Sequence, residues 1–256
     1  SATFDVMRPL LLPGLIASLA HNRRHGRRDV GLYEIGARFT ATLGERRAVA
    51  LAWTGRVSEH WSGTARAVDV FDAKGVSEAL CAALGVVPAF TPTTAPFLVP
   101  GQSASITVQG QPIGVFGTLL PAIAERAGAP PQDAVFVAEL DLDRIDVLRS
   151  TGLERVTPLP RHPFVVRDLS IVVSDALPAE IIRGTIQAAG DAQPAPLVGV
   201  SVFDRYQGKG VPEGSVSLSV RLTFQAPDRT LTDLDVQTSF DSILAALVRG
   251  HAAAQR

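Results

Sequence analysis

From Val216 to Phe224 the chain alternates without a break. Val216, Leu218, Val220, Leu222 and Phe224 are apolar, and Ser217, Ser219, Arg221 and Thr223 between them are polar. Side chains of a strand project to opposite faces with a period of two, so this segment predicts a strand with one buried and one wet face. Such a strand needs cover on one side only, and two amphipathic segments can supply it. Pro178 opens a helical pattern through Ile181, Ile182, Thr185 and Ile186 to Gly190. Thr232 is placed to cap a second helix, with Asp235 three residues on, running through Val236, Phe240, Ile243 and Leu247 to a stop at Gly250.

Leu169, Ile171 and Val173 alternate with polar neighbours ahead of the first helix, residues 197–206 form a further strand, and His251–Arg256 are left for a short last one. The order strand, helix, strand, strand, helix, strand is the split βαβ, ferredoxin-like plan, with both helices on one face of the sheet. The other face is then open to solvent, and single-stranded RNA modules use such a face for stacking and base-edge hydrogen bonds. On that face the alternation places Ser170, Ser217, Ser219 and Arg221, and Lys209 falls on the tip of the Gly208-Lys209-Gly210 hairpin, within reach of a phosphate. Tyr206 is undecided. In a straight strand it shares the parity of Val198, Val200 and Val202 and belongs under the helices, whereas a bulge before Gly208 would release it to the open face.

Three prolines in the seven positions from Thr157 to Pro163 disfavour helix and central strand, and set a domain boundary between residues 1–157 and 160–256. In the first part Pro13 opens a helix with Leu15, Ile16 and Leu19 on one face. Strands over Val30–Thr40 and Ala48–Gly55 follow, then a helix from Phe71 to Leu84 with Val76, Leu80, Ala83 and Leu84 as its apolar positions, stopped by Gly85. Ile106/Val108 and Ile113/Val115 flank a Gln109-Gly110-Gln111-Pro112 turn, and a strand near Ala134–Leu140 closes the unit. The fold class is α+β.

A net charge of −1 on 256 residues argues against a broadly basic, sequence-blind nucleic-acid binder, so any RNA is bound locally. The single cysteine, Cys81, leaves no disulfide framework or Cys-based zinc site, which points to a reducing, cytoplasmic setting. No apolar run is long enough to cross a bilayer. The start at Ser1, without an initiator Met or a signal-peptide pattern, is that expected of a processed chain or a fragment. Enzyme motifs are weak. Gly101-Gln102-Ser103-Ala104-Ser105 has Ser where a nucleophile elbow needs its second Gly, and Gly208-Lys209-Gly210 lacks the Ser/Thr and leading Gly of a phosphate loop. His21 and His25 share a helical face without a carboxylate or Cys to complete a metal set. The cluster Arg23, Arg24, Arg27 and Arg28 reads as a solvated helix end that could touch RNA.

Arg161-His162-Pro163-Phe164 with Val166-Arg167-Asp168-Leu169, then Phe203-Asp204-x-Tyr206-x-Gly208-Lys209-Gly210, then Leu222-Thr223-Phe224 with Asp228-Arg229-Thr230-Leu231-Thr232 resemble the ferredoxin-like anticodon-binding domain that ends the bacterial phenylalanyl-tRNA synthetase β subunits. Val6-Met7-Arg8-Pro9-Leu10-Leu11-Leu12-Pro13-Gly14-Leu15, Leu32-Tyr33-Glu34-Ile35-Gly36-Ala37-Arg38-Phe39, Val68-Asp69-Val70-Phe71-Asp72 and Pro100-Gly101-Gln102-Ser103-Ala104 are similar to the same family's catalytic-like domain. The resemblance implies a class II synthetase-like antiparallel sheet that is not itself catalytic, followed by the anticodon-binding domain. It implies a catalytic α subunit as partner, in a heterotetramer of two α and two β subunits, and tRNA-Phe as the RNA. ATP and Mg²⁺ belong to the full assembly, with no cofactor in this piece. It casts Leu15, Ile16 and Leu19 as partly exposed subunit-interface residues, and tips Tyr206 toward stacking on an anticodon base. After Phe39, where a class II site carries an Arg and an acid for ATP, this chain has Thr40-Ala41-Thr42, in keeping with an inactive domain. Val99 stands where the family commonly has His, Ser215-Val216 where Lys is common, and the family's larger N-terminal portion is absent. The alternative of another class is a protein-interaction scaffold that binds no RNA.

Overall fold

The computed structural model describes residues 6–57, 65–130, 132–149, 159–191 and 193–256. The chain forms two units, Ser1–Leu153 and Glu154–Arg256. Thr157 and Pro158 of the proline-rich segment lie outside the described residues, as does His60.

In the first unit α1 (Leu12–Arg24) is followed by β1 (Val30–Thr40), β2 (Gly44–Thr54), α2 (Val70–Ala83), β3 (Ala89–Pro92), β4 (Leu98–Val108), β5 (Gln111–Leu119), α3 (Pro121–Arg126), β6 (Val135–Asp141) and α4 (Leu142–Leu148). The six strands make one sheet in the order β1-β2-β6-β5-β4-β3, antiparallel at every pairing. Helices lie on both faces, so the central strand β6 is buried along all seven residues. On one face Ala48, Ala50 and Ala52 of β2 let α1 approach closely and join its Leu12, Leu15, Ile16 and Leu19 in a core. On the other, Val49 joins Cys81, Ile106, Ile113, Phe116 and Leu140. The β4–β5 hairpin closes with Gln109 and Gly110 at φ 51° and 76°, the left-handed pair of a two-residue turn.

Two expectations are corrected here. Leu15, Ile16 and Leu19 are 5%, 5% and 0% exposed: the apolar stripe of α1 is covered by the chain's own sheet. The exposed face of α2 is the one that carries Val76, and its buried residues are Ala73, Ser77 and Cys81, because small side chains allow it to lie flat on the strands. Asp69 and Asp72 cap this helix reciprocally. The elements with no counterpart in the sequence reading are β3, which has four residues and ends in Pro, and the single-turn to two-turn helices α3 and α4. All are too short to show a period.

In the second unit β7 (Val165–Ser174), α5 (Ala179–Gly190), β8 (Leu197–Tyr206), β9 (Ser215–Phe224), α6 (Asp233–His251) and β10 (Ala254–Gln255) form a sheet in the order β10-β7-β9-β8. This is the ferredoxin-like arrangement. Both helices pack on one face, where Ile182, Ile186, Val236, Ile243 and Leu247 meet Leu169, Ile171, Val220, Leu222 and Phe224. Thr232 and Asp235 form the capping box of α6. That helix runs one residue past Gly250, to His251, with Ala252 taking the left-handed conformation at φ 50°.

Candidate nucleic-acid interface

The uncovered face of the second sheet is built row by row from strand register. Asp168 (β7), Arg221 (β9) and Ser201 (β8) form one row, Ser170, Ser219 and Asp204 the next, and Val172, Ser217 and Tyr206 the third. The β8–β9 register shifts between Leu197 and Gly199 and again between Val202 and Asp204. Val202 still pairs with Val220 of the helix-covered set, but Tyr206 pairs with Ser217 of the open set. The second shift reverses the parity of the strand end, so Tyr206 is on the open face, 39% exposed.

Its ring is held there. The hydroxyl donates to the Lys209 carbonyl at 3.3 Å, and the hairpin folds against the ring so closely that a Cβ at Gly208 would sit 3.0 Å from that hydroxyl. The Arg256 guanidinium lies 5.4 Å from the ring centroid, and the Arg256 N–H donates to the Ser170 carbonyl at 3.0 Å. The sequence marks Arg256 only as the end of the short last strand; the pairing of β10 with β7 brings it to Tyr206. Lys209 is exposed on the turn, and its ammonium has no ion-pair partner among the described residues.

All four of the expected polar side chains on the sheet are buried or already engaged within the fold. Ser217 is only 3% exposed, lying between Val172 and the Tyr206 ring in register, so its hydroxyl is not on offer. Ser170 and Ser219 bond each other through their hydroxyls at 3.0 Å, leaving two further hydrogen-bonding directions on each. Arg221 donates from Nε and Nη2 to the two Asp168 carboxylate oxygens, both at 2.8 Å, and lies against the Phe203 ring at 5.2 Å. The bond from Arg221 holds the Asp168 carboxyl below its usual range. The sequence hid this pair, since it depends on the β7–β9 register.

In the first unit the candidate enzyme signals are absorbed by structure. Ser103 lies within β4 and donates to the Thr93 carbonyl at 2.7 Å, not on a strand-to-helix turn. The His21 and His25 rings stack at 4.2 Å, and no group of metal-ligating side chains occurs among the described residues. Arg23 pairs with Asp133, and Arg24 donates to the Ala127 carbonyl at 3.3 Å. The Thr40-Ala41-Thr42 segment turns between β1 and β2, and the nearby cations are tied to acids. Arg38 reaches Asp141 at 2.7 Å and Glu139 at 3.3 Å, and Arg46 reaches Asp141 at 3.4 Å. Glu139 also accepts from the Leu11 and Leu12 N–H groups at the start of α1, at 2.9 and 3.3 Å. Burial nevertheless raises its pKa, partly offset by those donors and Arg38. This unit also exposes apolar side chains: Tyr33 and Ile35 on edge strand β1 are 77% and 65% exposed, and Tyr33 borders a shallow cleft of about 200 Å³ with Leu51, Trp53 and Val76.

Comparison with known proteins matches this geometry at both ends. The family profile described as the phenylalanyl tRNA synthetase beta chain CLM domain matches residues 1–142. The chain belongs to the phenylalanyl-tRNA synthetase β-chain family. A second profile, the ferredoxin-fold anticodon binding domain, matches residues 160–256 of this β-chain family member. Relatives named phenylalanine–tRNA ligase beta subunit include those of Xanthomonas axonopodis pv. citri, 37% identical over 99% of this chain, Vibrio vulnificus, 34% over 96%, and Symbiobacterium thermophilum, 36% over 95%. The chain spans 32%, 31% and 27% of those relatives' lengths, about a third. Among its described residues no helix is long and apolar enough to cross a membrane.

Proposed function

We propose that this chain supplies the tRNA-docking and α-subunit-binding parts of a cytoplasmic phenylalanine–tRNA ligase, with residues 160–256 as the anticodon-binding domain and residues 1–157 as a non-catalytic class II-like domain. The observation that carries the reading is the register shift in β8, which turns Tyr206 onto the open face beside Lys209 and Arg256. An aromatic ring bordered by two cations on an uncovered sheet is the equipment for stacking one base of a single strand and meeting its phosphates. The anticodon-binding family match disfavours a protein scaffold that binds no RNA.

The α subunit belongs on the exposed apolar strip of Tyr33 and Ile35 rather than on α1, whose Leu15, Ile16 and Leu19 are buried. An apolar patch of this kind marks a protein contact, and the β-subunit relatives imply the partner. ATP and Mg²⁺ serve the full assembly of two α and two β subunits. This chain's Arg38 and Arg46 are committed to Glu139 and Asp141, so no phenylalanine-dependent pyrophosphate exchange is expected from the purified chain.

Binding of tRNA-Phe to the chain, followed across a salt series, tests the RNA reading. Tyr206→Ala should weaken binding roughly five- to a hundredfold, the value of one stacked base, while the urea midpoint of the second unit stays put. Equal affinity of parent and variant, or binding insensitive to salt, would overturn it.

A further inference from the structure

The bulge that turns Tyr206 outward also leaves Phe203 without a partner on β9, between the Val202–Val220 and Asp204–Ser219 pairs. Its ring is 52% exposed, and the side of it that is backed is backed by Arg221 at 5.2 Å. Arg221 is itself locked by its two bonds to Asp168. A guanidinium held in a fixed orientation against an aromatic ring is preorganised, and bases stack on such rings and on guanidinium planes alike. An exposed Phe at this place contributes little to the core, which lies on the opposite face with Phe224.

We propose that Phe203, backed by Arg221 and Asp168, is a second base-stacking subsite that takes another unpaired nucleobase of the RNA whose first base stacks on Tyr206. The proposal rests on the RNA reading above and adds a site to it. The two positions are three residues apart along β8, Tyr206 opposite Ser217 and Phe203 beside the step from Ser219 to Val220, which is about 10 Å of strand. The Ser170–Ser219 hydroxyl pair lies in the row between, where the edge of an intervening base would meet it. Asp168 offsets the charge of Arg221, so this subsite grips the face of a base, not a phosphate. Lys209, unpaired, does the reverse.

That difference separates the two roles in one experiment. An RNA stem–loop carrying the phenylalanine anticodon is titrated into the full 256-residue chain and its Phe203→Leu, Phe203→Tyr, Tyr206→Ala and Lys209→Gln variants, each at several salt concentrations. Phe203→Leu should weaken binding by roughly fivefold or more with the slope against salt unchanged. Phe203→Tyr should retain parental affinity, and Lys209→Gln should lower the slope by about one charge's worth. The subsite is overturned if Phe203→Leu binds as the parent does while Tyr206→Ala is weakened. It is also overturned if Phe203→Tyr is as weak as Phe203→Leu, or if the loss comes with a lower urea midpoint. If Tyr206→Ala, Lys209→Gln and Phe203→Leu all bind like the parent, the RNA reading itself has failed.

Discussion

Both units are built on antiparallel sheets, yet the centres of the two sheets treat their polar and charged side chains in different ways. The first sheet is covered on both faces at its centre, with Tyr33 and Ile35 of its edge strand left exposed, and its Arg38 and Arg46 turn inward onto Glu139 and Asp141. The second is covered on one face, and the groups on the other, Tyr206, Phe203, Lys209 and Arg256, remain at least partly exposed. A sheet sealed on both sides must neutralise its ions internally, because unpaired buried charge is costly. A one-sided sheet can leave aromatic rings and cations where a ligand can reach them. The contrast assigns chemistry to faces, not to domains, and substitutions can break it.

The largest expected effect is on the closed side of the second sheet. Phe224 is fully buried and pairs with Val165 and Leu197 across the two neighbouring strands. Phe224→Ala should cost about 3–5 kcal/mol of stability, the usual range for a truncated core aromatic, measured by urea unfolding. Phe203→Leu on the open side of the same sheet should stay within about 0.5 kcal/mol, as surface substitutions do. Similar losses for the two would mean that the open face is part of the core after all.

A second, smaller effect tests the sealed sheet. The folded-state pKa of Glu139 is raised above the ordinary 4.5, chiefly by burial. Between 4.5 and that raised value the folded chain holds a proton that the unfolded chain has released, so stability falls as pH rises through the window. For one proton the slope is at most about 1.4 kcal/mol per pH unit. Glu139→Gln keeps an acceptor for the Leu11 and Leu12 N–H groups and removes the titration. Its urea midpoint, measured every half unit from about pH 4 to pH 7, should lack the parent's fall over that window. An unchanged profile would show that Arg38 and the two N–H groups balance burial.

How much of this was legible in the sequence depended on what kind of information each feature needs. β1 and β8 begin and end where the residue pattern put them, and the Thr232–Asp235 box is local chemistry that a strand of letters carries in full. The side that Tyr206 faces was not legible, because parity counting assumes an unbroken register and β8 shifts twice. Nor was the commitment of Arg221, whose partner Asp168 is 53 residues away. The pattern of α1 gave an apolar stripe but could not say whose surface covers it. Ala48, Ala50 and Ala52, small residues that admit a helix, were the available signal that the cover is internal.

The smallest effect sharpens the separation of the two faces in the second unit. The Thr232 hydroxyl accepts from the Asp235 N–H at 3.2 Å, and the Asp235 carboxylate accepts from the Thr232 N–H at 3.1 Å. The bond from Thr232 holds the Asp235 carboxyl below its usual range. This box starts α6, whose Val236, Ile243 and Leu247 enter the core on the side of the sheet away from Tyr206. Thr232→Ala removes the hydroxyl's bonds to both the N–H and the carboxylate of Asp235 and should cost about 1 kcal/mol, read as a lower urea midpoint. Because the cap acts only through the helix-covered face, tRNA-Phe affinity and its salt slope should match those of the parent wherever the chain is folded. A Thr232→Ala chain that is folded but binds RNA several-fold more weakly would show that the helices help to shape the open face. The two sides of the sheet would then have to be treated as one coupled element.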